Sequence, residues 1–258
     1  MAEDLEPATV QGKSKNRLGW SCLSVSVVLL FVIGAPFVIF LNSMNKAIRR
    51  SSGANDLAEP LIAAMRYAKD HGGTLPPLDP EPGRLVFERK IMHEKYGVTG
   101  RTMTMEYDAA APYQLADYDK TPALRGNTEF IDDHSWWYLG YAVEDAAQGT
   151  NFLRAYQEAI RQGTGFTGNL PIPGSDRTLP RLHLPNDPKV GDSTGAESAR
   201  IPVFIERPGH YRGYSGGHVA YLDGHIEYHD YPGPFPMSAG FIRVLQAIDQ
   251  VGEVLKGR

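Results

Sequence analysis

The chain has a single cysteine among its 258 residues, Cys22, so no intramolecular disulfide can staple it. It also lacks any surplus of positive charge. Lys and Arg total 26 against 30 Asp and Glu, a formal net charge of −4, and without a basic footprint nucleic acid is not an expected partner. The third absence is local: between Arg17 and Lys46 there is no charged residue at all.

That gap frames LGWSCLSVSVVLLFVIGAPFVIFL, residues 18–41. A hydrocarbon core of ~30 Å needs roughly 20 apolar residues of helix, so this run is long enough to span a bilayer. It is longer than the apolar region of a signal peptide, typically ~7–15 residues, and Asn42-Ser43-Met44-Asn45 offers no small-x-small cleavage site. The expected organisation is a polar tail over 1–17, a single-pass anchor over 18–41 and an α+β domain over 42–258. Lys13, Lys15 and Arg17 before the span balance Lys46, Arg49 and Arg50 after it, so charge alone does not orient the anchor.

What the chain has in quantity is Gly (27) and Pro (19), which calls for many turns and long connections. After the anchor, Leu57, Leu61, Ala64, Met65 and Ala68 recur at helical spacing and Asp70-His71-Gly72-Gly73 supplies a stop, giving a stem helix. Pro60 suits the first turn of a second segment, so a kink or break near 51–60 is expected. Residues 84–88 and 101–107 read as strands. Ser135 to Tyr141 is the densest aromatic cluster; its rings fit core packing, or an exposed platform of Trp136, Trp137 and Tyr138 for a carbohydrate or peptide. Residues 151–160 form an amphipathic helix capped by Asn151 and stopped by Gly163. Residues 163–200 read as one long loop, a candidate for partner contact. Residues 201–205 read as a buried strand, and 238–256 place Phe241, Val244, Leu245, Ile248, Val251 and Leu255 on one stripe of a final amphipathic helix.

Residues 218–229, HVAYLDGHIEYH, are the clearest local signal. Two alternating runs flank Asp223-Gly224, the preferred pair for a two-residue hairpin turn. That turn would oppose His218 to His229 and put Val219, Tyr221, Ile226 and Tyr228 on one core-facing side. His218, Glu227 and His229 would then share the other face, where two imidazoles and a carboxylate could hold a divalent, zinc-type ion. A solvated surface accounts for the same residues. The nearby Gly213-Tyr214-Ser215-Gly216-Gly217 matches a nucleophile elbow in letters only, since a hairpin rather than a helix follows it.

Three blocks also carry a family likeness: the anchor followed by LIAAMRYAKDHGGTLPP, then WWYLGYAVEDAAQGTNFLRAYQEA, then SGGHVAYLDGHIEYHDYPGPFP. In them the chain resembles bacterial prepilin-like (pseudopilin-like) envelope proteins, the group named for a His, nine residues and Asp-Gly near the C-terminus. Here twelve residues separate His210 from Asp223, and Gly213 occupies the nine-residue position. Gly19-Trp20 looks like a degraded prepilin cleavage motif, with Ser24 where prepilins keep Glu. The resemblance implies an anchor in the bacterial inner membrane with the N-terminus cytoplasmic and the main domain periplasmic. It implies an antiparallel sheet behind the stem helix, and a non-enzymatic role with no cofactor, in contact with lipid and with envelope proteins or like subunits. A metal-dependent hydrolase or metal-binding module on His218, Glu227 and His229 is the alternative; the aromatic platform is a second.

Overall fold

A computed structural model describes residues 35–106, 108, 118, 120–184, 195–210 and 215–256. The chain divides after Arg49 into two compact units; the described part of the first, 35–49, is helical, and the second holds everything from Arg50 onward. The helices are α1 (Ala35–Asp70), α2 (Arg89–Tyr96), α3 (Pro122–Arg125), α4 (Ala146–Gln162), α5 (Gly195–Ser198) and α6 (Ala239–Lys256), with a 3₁₀ turn at Thr128–Phe130. The strands are β1 (Trp136–Tyr138), β2 (Leu170–Pro171), β3 (Thr178–Leu179), β4 (Pro202–Glu206), β5 (Gly217–Tyr221) and β6 (Ile226–His229). The fold is mixed α+β, built on an antiparallel four-stranded sheet in the order β1-β4-β5-β6, with β2 and β3 forming a separate hairpin.

Both faces of the central strands are buried, and every residue of β4 and β5 is inside. Strand alternation places Tyr138, Phe204, Glu206, His218 and Ala220 on one face, and Trp137, Ile205, Val219 and Tyr221 on the other. The part of α1 that begins at Arg50 covers the first face: Gly53 lies against His218, and the Met65 side chain approaches Gly224. Its apolar stripe, Leu57, Leu61, Ala64 and Ala68, is 0–3 % exposed, as helical spacing requires. The helix ends at Asp70 where Gly73 N–H returns to the Ala68 carbonyl at 2.8 Å, with Gly72 and Gly73 both at positive φ. Of the kink or break expected near 51–60, the break does not occur: α1 runs through Pro60.

The second face carries α4 and α6. Asp145, not Asn151, caps α4, its Oδ1 accepting from Gln148 N–H at 2.8 Å, so the helix starts a turn earlier than its apolar pattern shows. Gly163 closes it in the left-handed region as expected. Helices α4 and α6 meet at Gly149, where a Cβ would stand 2.5 Å from the Phe241 ring. Phe241, Leu245 and Ile248 are fully buried, as their shared stripe predicts.

Two expected strands are absent, each for a local reason. Residues 84–88 make only the single bridge Leu78↔Phe87; their neighbour across that bridge is Pro76-Pro77-Leu78-Asp79-Pro80, whose prolines have no N–H to extend a ladder. Residues 101–106 turn instead of extending. The hydroxyls of Thr99 and Thr102 bond each other's backbone N–H, and Thr104 Oγ1 donates to Gly100 O at 2.8 Å. The expected single loop over 163–200 is also corrected, since it contains the β2–β3 hairpin and α5.

Helix α6 is tied to the sheet through a partly buried cation. Arg207 donates to both carboxylate oxygens of Asp249, at 2.6 and 3.0 Å, and pairs with Asp133 at 3.0 Å. Its guanidinium lies 4.4 Å from the Trp137 ring centroid, while Trp137 Nε1 donates to Asp249 at 3.2 Å. Arg207→Ala strands two mostly buried carboxylates, and a loss of about 3 kcal/mol is expected from breaking such a network, read as a lower urea midpoint.

Candidate functional site

The hairpin of β5 and β6 and the helix resting on it hold most of the residues singled out from the sequence. Its turn takes three residues, Leu222-Asp223-Gly224, because Gly224 N–H bonds Tyr221 O at 2.9 Å and Tyr221 N–H bonds His225 O at 3.0 Å. Only Gly224 must enter the left-handed region, at φ +95°; Asp223 stays at the tip and accepts from His225 N–H at 3.1 Å and from His225 Nδ1 at 2.5 Å. The observed register is therefore one residue off the expected one: Gly217↔His229, His218↔Tyr228, Val219↔Glu227 and Ala220↔Ile226.

That slip corrects the metal reading. His218 faces α1, whereas Glu227 and His229 lie on the opposite face with Val219 and Tyr221. The three do not converge, and among the described residues no group of three His, Cys, Asp or Glu side chains could hold a metal ion. The expected shared core face of Val219, Tyr221, Ile226 and Tyr228 is split in the same way. His229 is instead engaged by the Tyr221 hydroxyl at 2.8 Å and lies 3.6 Å from Glu227, while His225 stacks flat on Tyr221, centroids 4.4 Å apart. Burial, reinforced by Glu227, pushes the Tyr221 phenol up to about 12.

On the α1 side, His218 forms a buried pair with Glu206. Glu206 Oε2 accepts from His218 Nδ1 at 2.6 Å and from the His218 backbone N–H at 2.8 Å, with side chains 7 % and 3 % exposed. A carboxylate partner fixes the imidazole tautomer with its proton on Nδ1. The Tyr228 ring meets the imidazole edge-on at 5.3 Å, and Arg50 lies 4.0 Å over Tyr228. Gly53 crosses directly above: a Cβ there would stand 2.7 Å from His218 Cε1 and 2.9 Å from Nδ1. One turn on, Asp56 Oδ2 accepts from Glu106 N–H at 3.1 Å. Burial chiefly raises the Asp56 carboxyl above its usual range; the Glu106 N–H opposes this, and the charges of Glu106, Glu59 and Glu206 add to it. Sequence reasoning missed Glu206 and Gly53, because neither lies in a motif and only the fold brings them to His218.

Other expectations resolve plainly. Trp136, Trp137 and Tyr138 are at most 1 % exposed, so they are core and offer no ring platform. Ser135 donates to Asp108 Oδ2 at 2.7 Å, and His210 Nδ1 approaches that same oxygen at 3.4 Å. The carboxylate thus stands between hydroxyl and imidazole, and Ser135 is fully buried, which is not the geometry of an activated nucleophile. Of the expected anchor over 18–41 only 35–41 is described, within α1, and Gly19, Trp20 and Ser24 lie outside the described residues. Among the described residues no helix is long and apolar enough to cross a membrane.

The geometry thus defines an α+β fold in which the part of α1 from Arg50 onward is laid over an antiparallel sheet. Comparison with family models, curated proteins and solved structures finds no match to this chain.

The Gly53–His218 contact is directly testable. Gly53→Ala gains about 1 kcal/mol of helix propensity, yet a net loss of stability is expected because the imidazole is held by its Nδ1 hydrogen bond to Glu206, whose oxygen the His218 backbone N–H also fixes, and cannot step aside. In a His218→Ala background the same change becomes stabilising, and a double-mutant cycle by urea denaturation reads the reversal.

Proposed function

We propose that this chain is a membrane-anchored, pseudopilin-like envelope protein that works through protein–protein contacts rather than catalysis. The observation that supports the reading is helix α1, described from Ala35, inside the uncharged run 18–41, to Asp70, whose part from Leu57 onward buries an apolar stripe in the α+β core. Such a helix suits a stem: one end suited to lipid, the other built into the domain that meets partners. The orientation, N-terminus cytoplasmic and domain periplasmic, comes from the resemblance in the three sequence blocks. The α+β order of stem helix, antiparallel sheet and Asp-Gly hairpin is compatible with it.

The mechanism is physical. The anchor restricts the domain to a bilayer surface, which raises its effective concentration for other membrane-bound partners. A metal-dependent hydrolase on His218, Glu227 and His229 loses its support, since the hairpin register separates those residues.

The test is the behaviour of the full chain in native bacterial membranes. It should resist extraction at high salt and alkaline pH and dissolve only in detergent, and in-membrane crosslinking should trap it with envelope proteins or copies of itself. N-terminal sequencing adds the processing state: a start at Trp20 marks cleavage after Gly19. Release of the intact chain by carbonate alone would overturn the anchor, and the function with it.

A further inference from the structure

We propose that the cleft between α4 and the 163–175 segment is a carbohydrate-binding site, shaped for a neutral, hydroxyl-rich sugar. This goes beyond the proposed function and stands whether or not the chain is anchored.

The cleft is open because both of its walls carry small residues. Ala155, Glu158, Ala159 and Gln162 form one face of α4 at helical spacing, and opposite them runs the segment from Thr164 to Ser175, which includes Gly165, Gly168 and Gly174. The space between has a volume of about 660 Å³, inside the ~300–1,000 Å³ usual for small-ligand sites.

The wall opposite α4 is held from within. The Tyr141 hydroxyl lies 3.0 Å from both Phe166 O and Gly168 O, and Arg181 Nη1 donates to Thr167 O at 2.9 Å. The Phe166 ring stacks on Tyr156 with centroids 5.1 Å apart. Three successive carbonyls are thereby turned into the protein. Among the described residues, no acceptor is bonded to the N–H of Thr167 or of Gly168, and both residues are exposed. Asn169 adds a donor. Its Oδ1 accepts from Arg181 N–H at 3.0 Å, which fixes the amide orientation and leaves Nδ2 to give a hydrogen bond outward.

Across the cleft stands an acceptor. Glu158 Oε1 takes hydrogen bonds from Arg161 Nη2 and Gln162 Nε2, while Oε2 takes one, from Arg161 Nε at 2.9 Å. A carboxylate has roughly four acceptor positions, so Oε2 keeps one for a ligand hydroxyl. Arg161 also balances the Glu158 charge, so the cleft asks for no net charge in its ligand. Leu170 and Ile172, both buried, give it an apolar surface.

A sugar matches this set, because each hydroxyl both donates and accepts while the ring C–H groups are apolar. Other occupants match less well. An added peptide strand needs N–H groups along the edge it joins, and Pro171 and Pro173 have none. A nucleobase needs an exposed ring to stack on, and among the described residues no aromatic side chain lines the cleft.

Ligand-observed NMR titration of the full chain tests this, in micelles of a detergent without a sugar headgroup. The probes are maltose, cellobiose and N,N′-diacetylchitobiose, with tetra-alanine as the peptide arm. At least one sugar should bind saturably with a Kd of about 1 mM or tighter. Glu158→Gln replaces a charged acceptor by a neutral one and should weaken that binding about fivefold or more. Asn169→Asp keeps the acceptor for Arg181 N–H but deletes the Nδ2 donor, and should weaken it comparably. Ala159→Leu fills the cleft and should abolish binding, with the urea midpoint reporting whether the fold is kept. Should that variant not fold, the two polar variants decide, since their side chains stand at the open rim. No saturable binding of any sugar up to about 20 mM would overturn the site. So would sugar binding that Glu158→Gln and Asn169→Asp leave unchanged, or saturable binding of tetra-alanine in place of the sugars.

Discussion

Strands β4 and β5 are buried on both faces, and that requirement shapes the molecule more than any other. A sheet covered on one side can alternate apolar and polar residues; this one cannot, and Pro202-Val203-Phe204-Ile205 reads as a continuous apolar run. Two covers are then needed. Helix α1 supplies one, and the pair α4 and α6 the other, brought together at Gly149 against Phe241. The aromatic residues of β1 complete the centre, where Phe87, Tyr138 and Phe204 meet with centroids 5.0–6.0 Å apart, in tilted and edge-on arrangements that rings prefer.

Burial on both faces forces polar groups at the strand ends to find partners inside the protein. Glu206 and Arg207 are neighbours at the end of β4, and alternation sends them to opposite sides. Glu206 turns toward α1 and meets His218; Arg207 turns toward α6 and meets Asp133 and Asp249. The α6 layer is thus registered on the sheet by the Arg207–Asp249 pair beside its apolar stripe, whereas Glu206–His218 joins β4 to β5 beneath Gly53. Apolar contact alone would tolerate α6 sliding by a turn, whereas the bidentate Arg207–Asp249 pair does not. Such pairs add little net stability against an apolar replacement, and their contribution here is to position.

Much of this was legible in the chain. The stem helix, the final helix, the apolar run of β4 and the hairpin all follow from periodicity and from Asp223-Gly224, because each is a local pattern that the tertiary structure has no reason to override. The strands expected at 84–88 and 101–107 were not, since alternation cannot register that a neighbouring segment is made of prolines, or that threonines will bond their own backbone. Asn151 was the wrong cap because apolar spacing marks where a helix becomes amphipathic, while Asp145 marks where it begins. Glu206, Asp56 and Gly53 were invisible for a deeper reason. Gly53 comes to lie over His218, His218 to meet Glu206, and Asp56 to accept from Glu106 N–H only once separate segments are stacked.

The hairpin shows how little separates one chemistry from another. Had Asp223-Gly224 formed a two-residue turn, His218 would have opposed His229 on one face with Glu227, as a metal site needs. The extra residue taken by the turn rotates the partner strand by one position, and with a side-chain period of two that sends Glu227 and His229 away from His218. His218 is then pressed inward with Tyr228 and must find an acceptor, which Glu206 supplies. The pair is buried, and Gly53 passes closely over its imidazole. What alternation would have made a surface ligand set becomes the seat of a helix, and the residue that decides between them is the glycine at φ +95°.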